Sequence, residues 1–584
     1  MASATDVITL ENFEAKMPQW RPNLASHLYA LVDMGSNGIR FSVSDLSPPQ
    51  ARLLKCLYRE RAAISLFDAL NSSSSGGPLV FPAETITQVS STLARFKSIA
   101  DGYGVPPEHV SVFATEAMRK AENAGSMLDA ILEASGLGVQ VLAPEVETLF
   151  GAMGARSSFA EVNGLFLDLG GGSVQMSYMD SAMDGYELAA SRTGKSLPFG
   201  AARLIKVLDS GDASMEAATK DDLKSGLQGA FTNLQHQFPS LGALSADTSR
   251  EGIDIYLCGG GFRGYGSMLM HNDPIHPYPI PGIGSYTVSG KFFKQTGTMR
   301  QINEEYDGRI YGMSKRRRKQ FPAIATVVKS LVSAVPKIRT VTFCSGGNRE
   351  GALFMKLPFH VREATPLALL HQPGDPMNDE VLQSVIRTML SAAPVDFDFA
   401  QIPTVFTLGL GPLFVGKIWS HLGEPSEANA AYELHRTVTR DPSVPGLTHL
   451  ARAVLGLTSC ARWGSSLGPV DRQLYLGLRQ LAFNGSPEAN YWADYFGAVA
   501  SILTTVCPAE PANINQLEKL IRFTAKIVDG KKRSHVELKI SVSATAAKGL
   551  DLQSIADVFG GVGKQKKDPT TVDRKVESVI STIP

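Results

Sequence analysis

Two aspartates, Asp33 and Asp168, carry the plainest chemical pattern in the sequence. Each closes an apolar run (LYALVDMG and GLFLDLG). Each is followed by an apolar residue, a glycine (Gly35 or Gly170), three turn residues and a second apolar stretch. From 33 to 168 the offset is 135 residues, a scale that points to a duplicated domain rather than a solenoid. Small turn residues leave backbone N–H groups free to face phosphate oxygens, and a carboxylate at a strand end suits Mg²⁺, directly or through water. A single Asp-x-Gly after a strand is an ordinary turn. Two matched copies, one from each of two related domains, could clamp a polyphosphate from both sides.

Other candidates say less when taken alone. Glu147 sits on a predicted helix whose other face holds Val146, Leu149, Phe150 and Met153, so by itself it reads as a solvated residue. GGGFRGYG (259–266) follows a predicted strand. It lacks the helical setting, and the acid about 20 residues further on, that a dinucleotide fingerprint needs. Ligand contact and a tight structural turn compete as readings of it. The basic run Lys315, Arg316, Arg317, Arg318 and Lys319 reads as a solvated loop, a phosphate-chain contact or a nuclear import signal. The 11 histidines form no HxxxH or His-Asp pair, and His435 and His449 read as ordinary half-buried residues.

Stepwise alternation of strands and helices must position these groups. HLYALVDMG, IRFSVSDL and ARLLKCLYRERA read as strands, and NSSSSGG (71–77) as a solvated loop. Residues 83–101 place Ile86, Val89, Leu93, Phe96 and Ile99 on one helical face. Strands at 109–115 and 139–143 alternate with helices at 124–136 and 145–158, which indicates an α/β architecture. The second unit repeats the pattern from about 161, with further strand–glycine junctions at 254–266 and 341–351. The expected organisation is an irregular leader (1–27), two lobes (28–160 and 161–357), a linker (358–376) and a mostly helical C-terminal domain (377–584). In that domain, helices are predicted near 378–391, 413–421, 425–438, 446–461, 487–504 and 513–527, one strand at 535–543, and a mobile final stretch around GKQKKDPTTVDRK.

Composition sets outer bounds. The chain has 584 residues, 43% hydrophobic and 19% charged, with 56 basic and 56 acidic side chains. That balance allows a sizeable core and argues against bulk nucleic-acid binding. Five scattered cysteines without a CxxC pair argue against a disulfide scaffold or zinc ribbon and for a reducing compartment. No apolar run reaches about 18 residues. The opening residues carry Asp6, Glu11 and Glu14 and no apolar signal core, so a cytoplasmic location is expected.

Six motifs in order resemble the exopolyphosphatase/guanosine-pentaphosphate phosphohydrolase (Ppx/GppA) family. LVDMGSNGIRFSV resembles its first phosphate loop. ATEAMRKAENA (114–124) is similar to its Ala-Thr…Arg…Asn-Ala block, and APEVETLFGAMGA (143–155) to the segment bearing its catalytic Glu. LFLDLGGGSVQ (165–175) resembles its second phosphate loop. SLPFGAARL (196–204) and CSGGNREGAL (344–353) resemble two later blocks. The similarity covers residues 28–357. Within the family the long chain and helical C-terminus most resemble the fungal retrograde regulation protein 2 group, which acts in signalling from mitochondria to nucleus.

The resemblance implies a duplicated actin-like, ribonuclease-H-like two-lobed core with a cleft between the lobes. It implies Glu147 as the base that activates water, Asp168 as the acid near metal and phosphate, and Arg119 as a phosphate-neutralising cation. Asp33, Gly35, Ser36 and Asn37 would form the first loop, and Gly170, Gly171, Gly172 and Ser173 the second. Gln175 and Gly259, Gly260 and Gly261 would contact phosphate or nucleotide, and Asp33 and Asp168 would hold Mg²⁺. Two departures stand out. Gln175 replaces a family Glu and cannot act as a base, and Val146 replaces the first acid of a Glu-Glu pair. The expected function is therefore a phosphate- or nucleotide-binding regulator with at most residual hydrolysis. An active Mg-dependent phosphohydrolase, releasing terminal phosphate from polyphosphate or a guanosine polyphosphate, is the alternative. A scaffold with a vestigial cleft is a further one. A sugar kinase of the same superfold fits less well, because the Arg119 and Glu147 blocks do not belong to that branch. Expected partners are a nucleotide or polyphosphate and a regulatory protein, with a homodimer as one option; neither membrane nor direct nucleic-acid binding is expected.

Overall fold

The computed structural model describes residues 6–17, 19–72, 78–246, 252–370, 379–394, 404–439, 444–529, 534–564 and 568–584. Most of the serine-rich loop at 71–77 lies outside them. Contacts divide the chain into two units, the first comprising residues up to 272 and 282–366, the second most of the remainder.

The first unit holds the duplicated core. Its first sheet contains β1 (Asp6–Ile8), β2 (Leu28–Gly35), β3 (Gly38–Asp45), β4 (Lys55–Ala62), β5 (Val110–Ala114) and β6 (Val139–Leu142) in the order β1-β6-β5-β2-β3-β4. Its second contains β7 (Asn163–Leu169), β8 (Val174–Asp180), β9 (Lys195–Leu197), β10 (Ile253–Cys258), β11 (Tyr286–Ser289) and β12 (Ile338–Phe343) in the order β11-β12-β10-β7-β8-β9. In each, an antiparallel three-strand meander is extended on one side by two parallel strands. The near-continuous apolar runs of β2 and β7 fit central strands covered on both faces, and six of the eight β2 residues are fully buried. Only the outermost strands differ: β1 is parallel to β6, whereas β11 is antiparallel to β12.

Helices Pro144–Arg156 and Asn348–Lys356 cross at glycines. A Cβ on Gly154 would overlap the Gly347 backbone, and one on Gly351 would overlap the Phe150 carbonyl. This close approach fixes where the first turn of each helix opens, beside the ends of β2 and β7.

The opening segment is not an irregular leader. Residues Asp6–Ile8 add a strand to the first sheet, and Ile8, Phe13, Met17 and Trp20 are buried in its core. The Trp20 indole donates to the Leu46 carbonyl at 2.8 Å. The expected linker also differs in its first half. Arg362 donates to Glu187 and Arg156 to Glu363, tying this stretch to the first unit. Residues 371–378 are outside the description.

The second unit is mostly helical, with helices Asp379–Leu390, Ser426–Thr439, His449–Ala461, Pro469–Gly485 and Ala489–Val506. The fourth was not expected. Residues 513–527 are not one helix: Ile514–Leu520 is helical, and β13 (Ile521–Asp529) follows. Its strict alternation of buried Ile521, Phe523 and Ala525 with exposed Arg522, Thr524 and Lys526 is a strand period. β13 pairs antiparallel with β14 (Ser534–Ser543), and β15 (Val576–Ile583) adds in parallel. The tail read as mobile thus leads into a sheet strand, and Arg574 pairs with Glu488 at 3.0 Å. Among the described residues, no helix is long and apolar enough to cross a membrane.

Candidate functional site

The two hairpins put their glycine turns into one cleft of the first unit. Asp33, Gly35, Ser36, Asn37, Glu147, Asp168, Gly170, Gly171, Gly172, Ser173, Gln175, Gly259 and Gly260 all line it. The turns meet: a Cβ on Gly171 would come within 2.6 Å of the Asn37 side-chain amide.

The second loop has a definite polarity. The Gly170 carbonyl accepts from Ala201 N–H, the Gly171 carbonyl from Ala202 and Arg203 N–H, and the Gly172 carbonyl from Gly200 N–H, all at 3.0–3.1 Å. Because a trans peptide holds C=O and the next N–H on opposite sides, the N–H groups of Gly171, Gly172 and Ser173 point away from helix Ala201–Leu208. None of the three donates to another group among the described residues, and the residues themselves line the cleft. Three successive N–H groups on one concave side form an anion cradle.

The acids stand in different surroundings. Asp33 is 3% exposed. Its Oδ2 lies 3.6 Å from Arg40, its direct cross-strand partner. Its Oδ1 is buried with no hydrogen-bond partner among the described residues. Asp168 pairs in register with Gln175. Burial raises the Asp168 pKa, against the pull of Arg263 and Arg40. Gln175 is buried and accepts from the Thr148 hydroxyl at 3.3 Å. Glu147 lies in the first turn of helix Pro144–Arg156. Burial raises its pKa to about 7, although Arg119, 2.9 Å away, opposes the rise. Arg119 therefore enters the site through Glu147 and not as a wall of the cleft. Val146 is fully buried in the core behind it.

The three glycines after β10 behave unequally. They open helix Gly259–His271 directly, so the helical setting thought to be missing is present. Gly259 has φ +83°, a left-handed conformation, and a Cβ there would overlap the Asp168 carboxylate. Gly260 faces the cleft, whereas a Cβ on Gly261 would strike the Leu169 side chain. Gly261 is thus a packing residue.

Further residues join the site that sequence reasoning passed over. Arg40, Thr115, Glu116, Arg263 and Asn348 line the cleft. Arg263 donates to the Ser345 and Gly346 carbonyls at 2.8 and 3.0 Å. Only its place in GGGFRG, next to the glycines, could have flagged it. The basic run opens helix Lys315–Ala334, so it is not a solvated loop. Arg316 reaches Asn37, Ser65 and Asp68 at 2.7–2.8 Å, and burial lowers the pKa of Arg317 to about 10, with Arg263, Arg40 and Arg61 adding to the effect. His435 meets Asp471, and His449 meets the Tyr278 hydroxyl. Among the described residues, no group of three or more His, Cys, Asp or Glu side chains is arranged to hold a metal alone.

Comparison with known proteins gives a consistent picture. The model of the Ppx/GppA phosphatase family matches residues 46–360, and that of the RTG2 C-terminal domain matches residues 365–581. Retrograde regulation protein 2 of Saccharomyces cerevisiae is 30% identical over 531 residues, covering 88% of this chain and 86% of the relative. Exopolyphosphatase 1 of Mycobacterium leprae is 25% identical over 333 residues, covering 56% of this chain and 88% of the relative. Among solved structures, the Aquifex aeolicus PPX-GPPA enzyme matches with 21% identity and a TM-score of 0.43, over 56% of this chain and 98% of the other.

Proposed function

Because the chain belongs to the Ppx/GppA phosphatase family, we propose that its cleft binds the phosphates of a nucleotide or polyphosphate, and that this binding serves regulation more than turnover. The observation that carries the reading is the cradle of three N–H groups in a cleft that also holds Asp33 and Asp168. The name of the yeast relative and the shared C-terminal domain support a role in retrograde, mitochondria-to-nucleus signalling. Such a regulator works in the cytoplasm through a protein partner.

The acids fit a hard cation. The donors are all oxygens, Asp33 Oδ1 is buried and unpartnered, and phosphate oxygens would complete the shell. Mg²⁺ held by Asp33 and Asp168 would supply charge neutralisation at the phosphate. Glu147, held by Arg119, would take a proton from water. Its elevated pKa leaves it partly protonated at neutral pH. Gln175 offers no second carboxylate beside Asp168, so orientation and activation of water rest on Glu147 alone. Hydrolysis is slow for that reason.

Calorimetric titration with ATP, GTP and tripolyphosphate in Mg²⁺, together with phosphate-release assays, tests the reading. At least one ligand should bind, with slow release. Since only deprotonated Glu147 can accept a proton, release should rise with pH through about 7 and lose that rise in Glu147→Gln. Brisk Glu147-dependent turnover would replace the regulator by an enzyme, and absence of all binding would leave a scaffold.

A further inference from the structure

Glu116 stands in the cleft at the second glycine loop. It opens the short helix Glu116–Lys120 of the first lobe. A Cβ built on Gly172 would overlap its carboxylate, only 2.9 Å from the carboxyl carbon. The carboxylate therefore lies against the Gly172 Cα, and among the described residues its donors are side chains and none of the loop's N–H groups. Its Oε1 accepts from Arg203 of the second lobe at 3.1 Å and from Lys120 at 2.5 Å, while Oε2 is the oxygen nearest Gly172. The cavity that remains is about 100 Å³, well below the roughly 300–1,000 Å³ of ordinary ligand pockets.

A carboxylate resembles one face of a phosphate: two acceptor oxygens and a negative charge. An anion cradle attracts either. Two anions cannot share it, because like charges at contact distance in a partly buried cleft repel strongly.

We propose that Glu116 is a tethered anion that stands beside the second loop at Gly172 and must move aside before a phosphate group reaches the N–H groups of Gly171, Gly172 and Ser173. Its departure releases Arg203, which exchanges the carboxylate for the incoming phosphate. The same contact bridges the two lobes, so ligand entry and cleft opening are one event. Glu116 thereby sets which ligands enter: a polyphosphate, with several charges, displaces it, and a monoanion does not. The proposal rests on the phosphate-binding reading above.

The test compares wild type with Glu116→Gln, which keeps shape and removes charge. Tripolyphosphate with Mg²⁺ is the titrant and inorganic phosphate the monophosphate control. Glu116→Gln should bind tripolyphosphate about tenfold more tightly and gain measurable binding of phosphate. Arg203→Gln should bind tripolyphosphate more weakly. Hydrogen exchange supplies a readout that a purely structural role would not move. In both proteins tripolyphosphate should slow exchange of the 171–173 amides, and inorganic phosphate should do so in Glu116→Gln but not in wild type. Wild type that binds, with a variant that is no tighter and whose 171–173 amides inorganic phosphate does not protect, overturns the tethered-anion proposal and leaves the phosphate site standing. Failure of both folded proteins to bind overturns the phosphate site and the proposal with it.

Discussion

The two hairpins share a backbone frame and differ in charge. In the first, Asp33 lies opposite Arg40 and is partly neutralised within its own sheet. In the second, Asp168 occupies the matching place and Gln175 lies opposite it. The first turn carries Ser36 and Asn37, and Arg61 and Arg316 bind the carbonyl and side chain of Asn37. The second turn runs through three glycines and a serine, with its carbonyls tied to the helix behind it. Under the proposed function, one copy closes the cleft and the other receives the anion. Duplication supplied the geometry twice, and side-chain divergence separated the tasks.

The largest expected effect sits on Asp168, the acid that faces a glutamine and not an arginine across the strands. Asp168→Ala should weaken Mg²⁺-dependent binding of tripolyphosphate by about a hundredfold, the upper range for losing a metal-positioning group. Asp33→Ala should cost less, because removing it frees the Arg40 guanidinium to face phosphate. Calorimetry on both variants decides the matter, and equal losses would erase the proposed division between hairpins.

Gln175 offers the sharpest intermediate test. Gln175→Glu is nearly isosteric and puts a carboxylate beside the reacting centre, so phosphate release should increase by about tenfold with affinity little changed. Gln175→Arg would copy the first hairpin. It should pair with Asp168 and weaken cation-dependent binding by about tenfold. Single-turnover release and titration distinguish the two. If both variants behave like wild type, the charge at this register has no bearing on the site.

The smallest effect belongs to Arg316. Its bonds to Asn37, Ser65 and Asp68 are half-exposed, and such pairs contribute about 1 kcal/mol or less. Arg316→Ala should shift ligand affinity by only about threefold and speed hydrogen exchange around residues 36–37 and 65–68. A loss as large as that of Asp168→Ala would make the first turn a ligand site in its own right.

Much of the core was legible because its determinants are local. A buried strand, an acid, a glycine turn and a second strand lie within eighteen residues at each copy (28–45 and 163–180), and repetition at one offset marked them as a pair. Long periodic helices such as Ala83–Gly102 were equally plain. Where signals adjoined or were short, they misled. β13 follows helix Ile514–Leu520 without a break, so its two-fold period was absorbed into a helical reading, and Asp6–Ile8 becomes a strand only because Gln140–Leu142 offers an open edge 134 residues away.

The sequence by itself determined the duplicated α/β frame, the two acids at matching strand ends and the helical character of the C-terminal unit. Those follow from periodicities within a single element. Tertiary structure alone decided the rest of the site: Gly259 against the Asp168 carboxylate, Gly261 turned to the core, Arg119 acting through Glu147, and Glu116 laid on the second loop. Each is a contact between segments far apart in the chain, and no pattern within either segment encodes it. The physical reason is that a side chain's environment is set by what folds against it, so charge, burial and pKa belong to the assembled cleft and not to the residue type.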